Sequence, residues 1–139
     1  MIEVITFDLW DTLFVNKSYS SERLQFLKQF LENKKISFSA KGLNSAFKSS
    51  FFLPERNYEE NRHIYTKDRI STMLDILAID LEIDEKRLIN DEFEEIMLKN
   101  PPQLKKGVKH IIEALSPEYK IGLISNTGIT PGRIISKVF

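Results

Sequence analysis

The chain has 139 residues, 42% hydrophobic and 29% charged, and its 20 basic and 20 acidic side chains cancel. That balance fits a globular domain, or a small domain carrying an insertion, and argues against disorder and against a nucleic-acid or membrane-surface partner. With no cysteine, disulfides, thiolate zinc sites and cysteine nucleophiles are excluded. The start, Met1-Ile2-Glu3, has neither a basic n-region nor an apolar h-region. No run approaches transmembrane length, so a cytoplasmic location is the default expectation.

The first element is the apolar run Ile2 to Phe7, with β-branched Val4, Ile5 and Thr6. A run this short predicts a strand buried on both faces, as in a parallel sheet. It ends abruptly in Asp8-Leu9-Trp10-Asp11-Thr12-Leu13. Acids at the C-terminal end of such a strand project into the crevice where open α/β sheets bind ligands. A carboxylate fixed by a rigid strand can serve as an oriented nucleophile. The plainer reading of Asp8 and Asp11 is that they cap a turn.

The middle of the chain is helical in pattern. Ser20-Ser21-Glu22 opens a segment with an apolar stripe at Leu24, Phe26, Leu27, Phe30 and Leu31. Ser39 to Phe52 is a weaker helix, interrupted by Gly42 and closed by Pro54. Thr66 is placed as N-cap of a helix over Lys67 to Leu81. Asp84 is placed as cap of the next, which reaches about Leu98 with a break near Asn90 before Pro101-Pro102 ends the pattern. Gly107 to Leu115 forms a short helix, with Val108, Ile111, Ile112 and Leu115 on one face.

Tyr119 to Ile124 is a second short apolar strand, followed at once by Ser125-Asn126-Thr127-Gly128. Strand, helical insertion, helix and strand make a right-handed crossover between parallel strands the natural topology. Asn16-Lys17-Ser18 and Asn100-Pro101-Pro102 read as linkers. The expected fold class is therefore α/β, an incomplete parallel-sheet core over residues 1–16 and 101–139 with an all-helical insertion over 17–100. Parallel neighbours bring Asp8 and Ser125 to one sheet edge. The Ser125 hydroxyl, the Asn126 amide and loop N–H groups would suit an anion such as phosphate or carboxylate beside a fixed carboxylate. Alone, Ser125 to Gly128 reads as an ordinary turn.

Together these residues resemble the haloacid dehalogenase-like hydrolase superfamily. Asp8, Thr12 and Leu13 match its first motif and Ser125 its second; Gly122 to Gly128, with Thr130-Pro131-Gly132 after it, is similar to a common variant. The insertion resembles the family's C1-type helical cap on a Rossmann-like core. The resemblance implies that Asp8 attacks the substrate and forms an aspartyl ester or aspartyl phosphate. Trp10, Ser125 and Asn126 would contact the substrate, a small phosphorylated metabolite. Mg²⁺ would sit on Asp8 and the backbone carbonyl of Trp10 and neutralise substrate charge.

Two features depart from the family pattern. Trp10 occupies the position of the second Asp, the group that protonates the leaving group and activates water. An indole N–H only donates. Asp11, next in the chain, is the other catalytic candidate, although a strand or tight turn points its side chain elsewhere. The family's dehalogenase branch carries an aromatic there, acts without metal, and needs an arginine from the early cap, where Arg23 is placed early for the role. A metal-free 2-haloacid dehalogenase-like hydrolase is thus the alternative.

The second departure is the end of the chain. Thr130 is placed as the cap of a helix with Pro131 in its first turn, and the chain stops at Phe139 on the stripe of Ile134, Ile135 and Val138. The family's later lysine and acidic motif are missing, and two strands leave unpaired edges. The expectation is an N-terminal part of a longer fold, completed by a complementing chain or by self-association. A third reading follows, a catalytically incompetent truncated fragment that acts by binding or assembly. His63 and His110 are lone histidines, and Phe51, Phe52 and Tyr58 are expected to line the cap interior or its face over the crevice. Met73 and Met97 are expected in helix cores, and Glu92, Glu94 and Glu95 on a solvated helix face.

Overall fold

The computed structural model describes residues 2–51, 63–125 and 128–138. In chain order the elements are β1 (Val4–Asp8), α1 (Ser20–Asn33), α2 (Ala40–Phe51), α3 (Thr66–Leu77), α4 (Ile83–Lys99), α5 (Val108–Leu115), β2 (Lys120–Ile124) and α6 (Gly132–Ile135). This is a helix-rich α/β mixture. It divides into two units: Met1–Ser18 with Asn100–Thr127, and Tyr19–Lys99 with Gly128–Phe139. Residues 128–138, placed with the core in the sequence reading, group with the helices.

In the strand unit β1 and β2 pair in parallel, Val4 opposite Lys120 and Asp8 opposite Ile124. The sequence predicts burial on both faces. Instead β1 alternates, with Ile5 and Phe7 half-buried and Val4, Thr6 and Asp8 exposed. Two strands do not furnish the cover on both faces that a parallel sheet uses. Gly107, with φ of 87°, holds the left-handed turn that starts α5. Tyr119 N–H then bonds the Leu115 carbonyl at 3.0 Å and turns the chain into β2.

After β1 the chain folds into a tight turn. The N–H groups of Leu13 and Phe14 both reach the Leu9 carbonyl, at 2.9 and 3.0 Å, and Asp11 N–H reaches the Phe14 carbonyl at 2.9 Å. Leu9, Leu13 and Phe14 are buried. The following residues run antiparallel to 103–105: Val15 N–H bonds Gln103 O and Lys105 N–H bonds Leu13 O, both at 2.8 Å, with Phe14 facing Leu104. Lys17 Nζ bonds the Asn100 carbonyl at 3.1 Å, joining the two linker segments.

The helical unit has a core built from four helices. Leu27 and Leu31 of α1, Leu43, Phe47 and Phe51 of α2, Ile70, Met73 and Leu74 of α3, and Ile89 and Phe93 of α4 are buried together. The i, i+4, i+7, i+8 spacing of Ile89, Phe93, Ile96 and Met97 gives α4 a continuous buried stripe. That burial carries the helix unbroken past Asn90, and it begins at Ile83 with Asp84 inside its first turn.

The other helix ends also differ from expectation. Tyr65 is the N-cap of α3, its N–H held by Asp68 Oδ2 at 3.3 Å. The Thr66 hydroxyl instead donates to the Ile129 carbonyl at 3.0 Å. The helix stops at Leu77, not Leu81, because Ala78 turns left-handed at φ of 52° and Ile79 N–H closes on Leu74 O at 3.0 Å. Pro131, not Thr130, caps α6. Met73 and Met97 are buried, as expected. Glu94 and Glu95 pair with Arg133 and Lys137, and Glu92 with Lys99, so this face binds α6 and its flank rather than water alone. Phe51 lies in the core, while Phe52 and Tyr58 fall outside the described residues.

Candidate active site

The parallel register sets the geometry of the site. Asp8 is the last residue of β1 and lies opposite Ile124, the last residue of β2. Ser125 follows Ile124 directly, so a carboxylate and a hydroxyl stand at the same edge of one sheet. Asp8 is exposed, and its Oδ2 accepts the Thr12 hydroxyl at 3.1 Å. Its Oδ1 takes no hydrogen bond among the described residues. One carboxylate oxygen is thereby anchored while the other is open to an electrophile.

Ser125 is the second component. Its Oγ is buried and has no hydrogen-bond partner among the described residues. A buried hydroxyl left unpaired carries a desolvation cost of about 1–3 kcal/mol, and in native proteins such orphans call for a ligand, a water or a functional reason. Asn126, the other residue read as an anion donor, lies outside the described residues.

The turn after β1 places the remaining candidates. Trp10 is half-buried, its ring tilted against Phe14 with centroids 6.3 Å apart. Asp11 sits at the turn tip in the left-handed region, φ 58°, a conformation that L side chains adopt at a cost. Its carboxylate Oδ1 lies 3.5 Å from Lys105 Nζ, which also donates to the Asp11 carbonyl. Lys105 is a residue that sequence reasoning missed. Its partner is 94 positions away, and no local pattern announces such a contact.

For a metal, Asp8 and the Trp10 carbonyl offer two hard oxygen donors. That is the donor type Mg²⁺ uses together with waters and substrate phosphate, so the residues fit in kind. Among the described residues no three His, Cys, Asp or Glu side chains cluster as a metal site. No helix of the described residues is long and apolar enough to cross a membrane.

Other residues considered from sequence sit elsewhere. His63 packs edge-on against Tyr65 at 4.7 Å and His110 is exposed on α5. Arg23 is buried in the helical unit, where Nε donates to the Phe93 carbonyl at 2.9 Å and an Nη to Thr130 Oγ1 at 3.4 Å. Burial pulls its pKa down to about 10, and the nearby Glu22 carboxylate and Tyr19 offset only part of that.

No family model matches the chain, and no curated protein matches it. Among solved structures, a haloacid dehalogenase-like family hydrolase from Xanthomonas campestris is similar, at 18% identity and a TM-score of 0.44 over 88% of this chain and 49% of that one. The chain thus spans about half the length of that structure.

Proposed function

We propose that the chain carries the nucleophile side of an aspartate-based hydrolase site acting on a small phosphorylated metabolite. The observation that carries this reading is the orphaned, buried Oγ of Ser125, one residue past the strand partner of Asp8. A hydroxyl without a partner among the described residues, at the same sheet edge as an open carboxylate oxygen, is suited to hold one oxygen of a bound anion.

The chemistry follows from the two groups. Asp8 Oδ1 attacks phosphorus; the new O–P bond forms as the bond to the leaving oxygen breaks, and that oxygen departs with the electron pair. Water then hydrolyses the aspartyl phosphate, releasing inorganic phosphate and restoring Asp8. Thr12 holds Oδ2 throughout, which limits the carboxylate to one reactive orientation. Asp8 and the Trp10 carbonyl would hold Mg²⁺, which when bound neutralises phosphate charge. Ser125, with Asn126 and Trp10, would contact the substrate.

The test is phosphate release from an aryl phosphate in the presence of Mg²⁺. The wild-type chain is expected to turn over, and Asp8→Asn to lose at least about 10⁴-fold in kcat/KM, as expected when a nucleophile is removed. Absence of phosphate release by the wild type, or turnover that survives Asp8→Asn, removes the reading.

A second reading is supported by Trp10. The indole beside the nucleophile supplies no acid for a leaving alkoxide, whereas a halide leaves without a proton. Halide release from a 2-haloacid without metal, in place of phosphate release, would select metal-free carbon–halogen hydrolysis. Neither activity, with Asp8→Asn behaving as wild type, selects a role in binding or assembly.

A further inference from the structure

We infer that Lys105 is a positioning residue for Asp8 and acts through Asp11, a role that rests on the hydrolase reading above. The lysine is placed by its backbone. Lys105 N–H bonds the Leu13 carbonyl and Val15 N–H bonds the Gln103 carbonyl, both at 2.8 Å, with Phe14 opposite Leu104. Residues 103–105 are therefore laid along 13–15 whatever side chain stands at 105. From that anchor, Nζ reaches the tip of the turn and takes both the Asp11 carbonyl and its Oδ1.

Asp11 is where the turn most needs a second point of attachment. It holds a left-handed backbone without being glycine, so an unrestrained turn gains by relaxing there. Thr12, the next residue, is the group that fixes Asp8 Oδ2. A single chain of contacts thus runs from Lys105 to Asp11, along the backbone to Thr12, and on to Asp8. Lys105 holds the tip, the tip aims the Thr12 hydroxyl, and the hydroxyl leaves Oδ1 as the attacking oxygen. In this arrangement Asp11 is the anchor of the clamp and not the proton-transfer group that its place beside Trp10 suggests.

Two measurements test the clamp on the full chain. The first is amide hydrogen exchange at Leu13 and Phe14, the donors inside the turn. Lys105→Met is expected to speed exchange there about three- to ten-fold, the low end for an ion pair plus one hydrogen bond because both are exposed to solvent. Lys105→Arg should stay within about two-fold of wild type because it keeps the charge and the donors.

The second is aryl phosphate turnover. Lys105→Met is expected to lower kcat about ten-fold with KM unchanged, between the small worth of an exposed pair and the hundredfold cost of a misplaced nucleophile. Lys105→Arg should recover most of that loss, and Asp11→Asn combined with Lys105→Met should lose no more than the worse single variant. Unchanged exchange in Lys105→Met overturns the clamp, as do an Arg variant as impaired as the Met variant and strictly additive losses. If the wild type releases no phosphate, the hydrolase reading falls, and the exchange result alone decides whether Lys105 holds the turn.

Discussion

The two units of the chain differ in how they are packed. In the helical unit, side chains from four helices close into one core in which Phe93 is 0% exposed and Leu27, Leu31, Met73 and Ile89 match it. In the strand unit the buried apolar residues are concentrated in the turn after β1, while Val4 is 52%, Leu123 40% and Ile124 65% exposed. The candidate nucleophile and the orphaned hydroxyl both sit in this sparsely packed unit. Precision there comes from hydrogen bonds and one ion pair in the turn, not from a packed core, so the two units should answer differently to mutation.

The largest expected effect is in the helical unit. Phe93 meets Phe51 with ring centroids 5.5 Å apart, and Phe26 and Phe47 at 6.3 Å. Phe93→Ala leaves a cavity among these rings and should cost about 3–5 kcal/mol. Ile124→Ala, at an exposed strand position, should cost less than about 1 kcal/mol. Urea unfolding followed by circular dichroism measures both. Equal costs would mean that the strand unit is packed as firmly as the helices, and the contrast would fail.

A middle-sized effect is expected at Ser125, and its sign differs between stability and activity. Ser125→Ala removes a buried hydroxyl that has no hydrogen-bond partner among the described residues, so the folded chain should be unchanged or slightly more stable. Phosphate release should fall roughly 10²-fold, the usual loss for one donor to a reacting anion. Loss of stability without loss of turnover would make the hydroxyl a packing group and sharpen the division the other way.

What could be read from the sequence follows the same division. The segment from Asp84 to about Leu98 reads as a helix from its capping residue and from the Pro101-Pro102 stop, and the buried stripe of Ile89, Phe93, Ile96 and Met97 is what holds α4 together. The ends of β1 and β2 were legible because apolar runs stop abruptly at Asp8 and Ser125, and their parallel pairing follows from crossover topology. Contacts between distant segments left no such trace. Thr66 has the chemistry of an N-cap, but its hydroxyl is drawn to the Ile129 carbonyl. Asn90 is a weak helix former carried through by the buried stripe on either side. Ala78 closes α3 in a left-handed turn where glycine is the usual signal. Lys105 lies outside every motif, and only the antiparallel run of 103–105 along 13–15 brings it to Asp11.

The smallest effect lies at the junction of α1 and α4 and depends on pH. Lys34 pairs with Glu85, whose Oε2 also accepts the Glu82 N–H at 3.0 Å. The Lys34 hydrogen bond first, and the Glu82 N–H second, hold the Glu85 carboxyl below the ordinary value of 4.5. A carboxyl whose pKa is lower in the folded than in the unfolded chain adds stability above the unfolded value. It gives that stability up as pH falls through the folded one. Lys34→Met removes the larger cause, so this variant should melt slightly below wild type at neutral pH. The two melting temperatures should converge as the pH drops below 4.5 and Glu85 becomes protonated in both. The pair is exposed enough that the gap will be small at any pH, and raising the salt concentration should narrow it further. A gap that stays constant from neutral pH into acid would place its origin in the packing of the lysine stem against the helices rather than in the charge on Glu85.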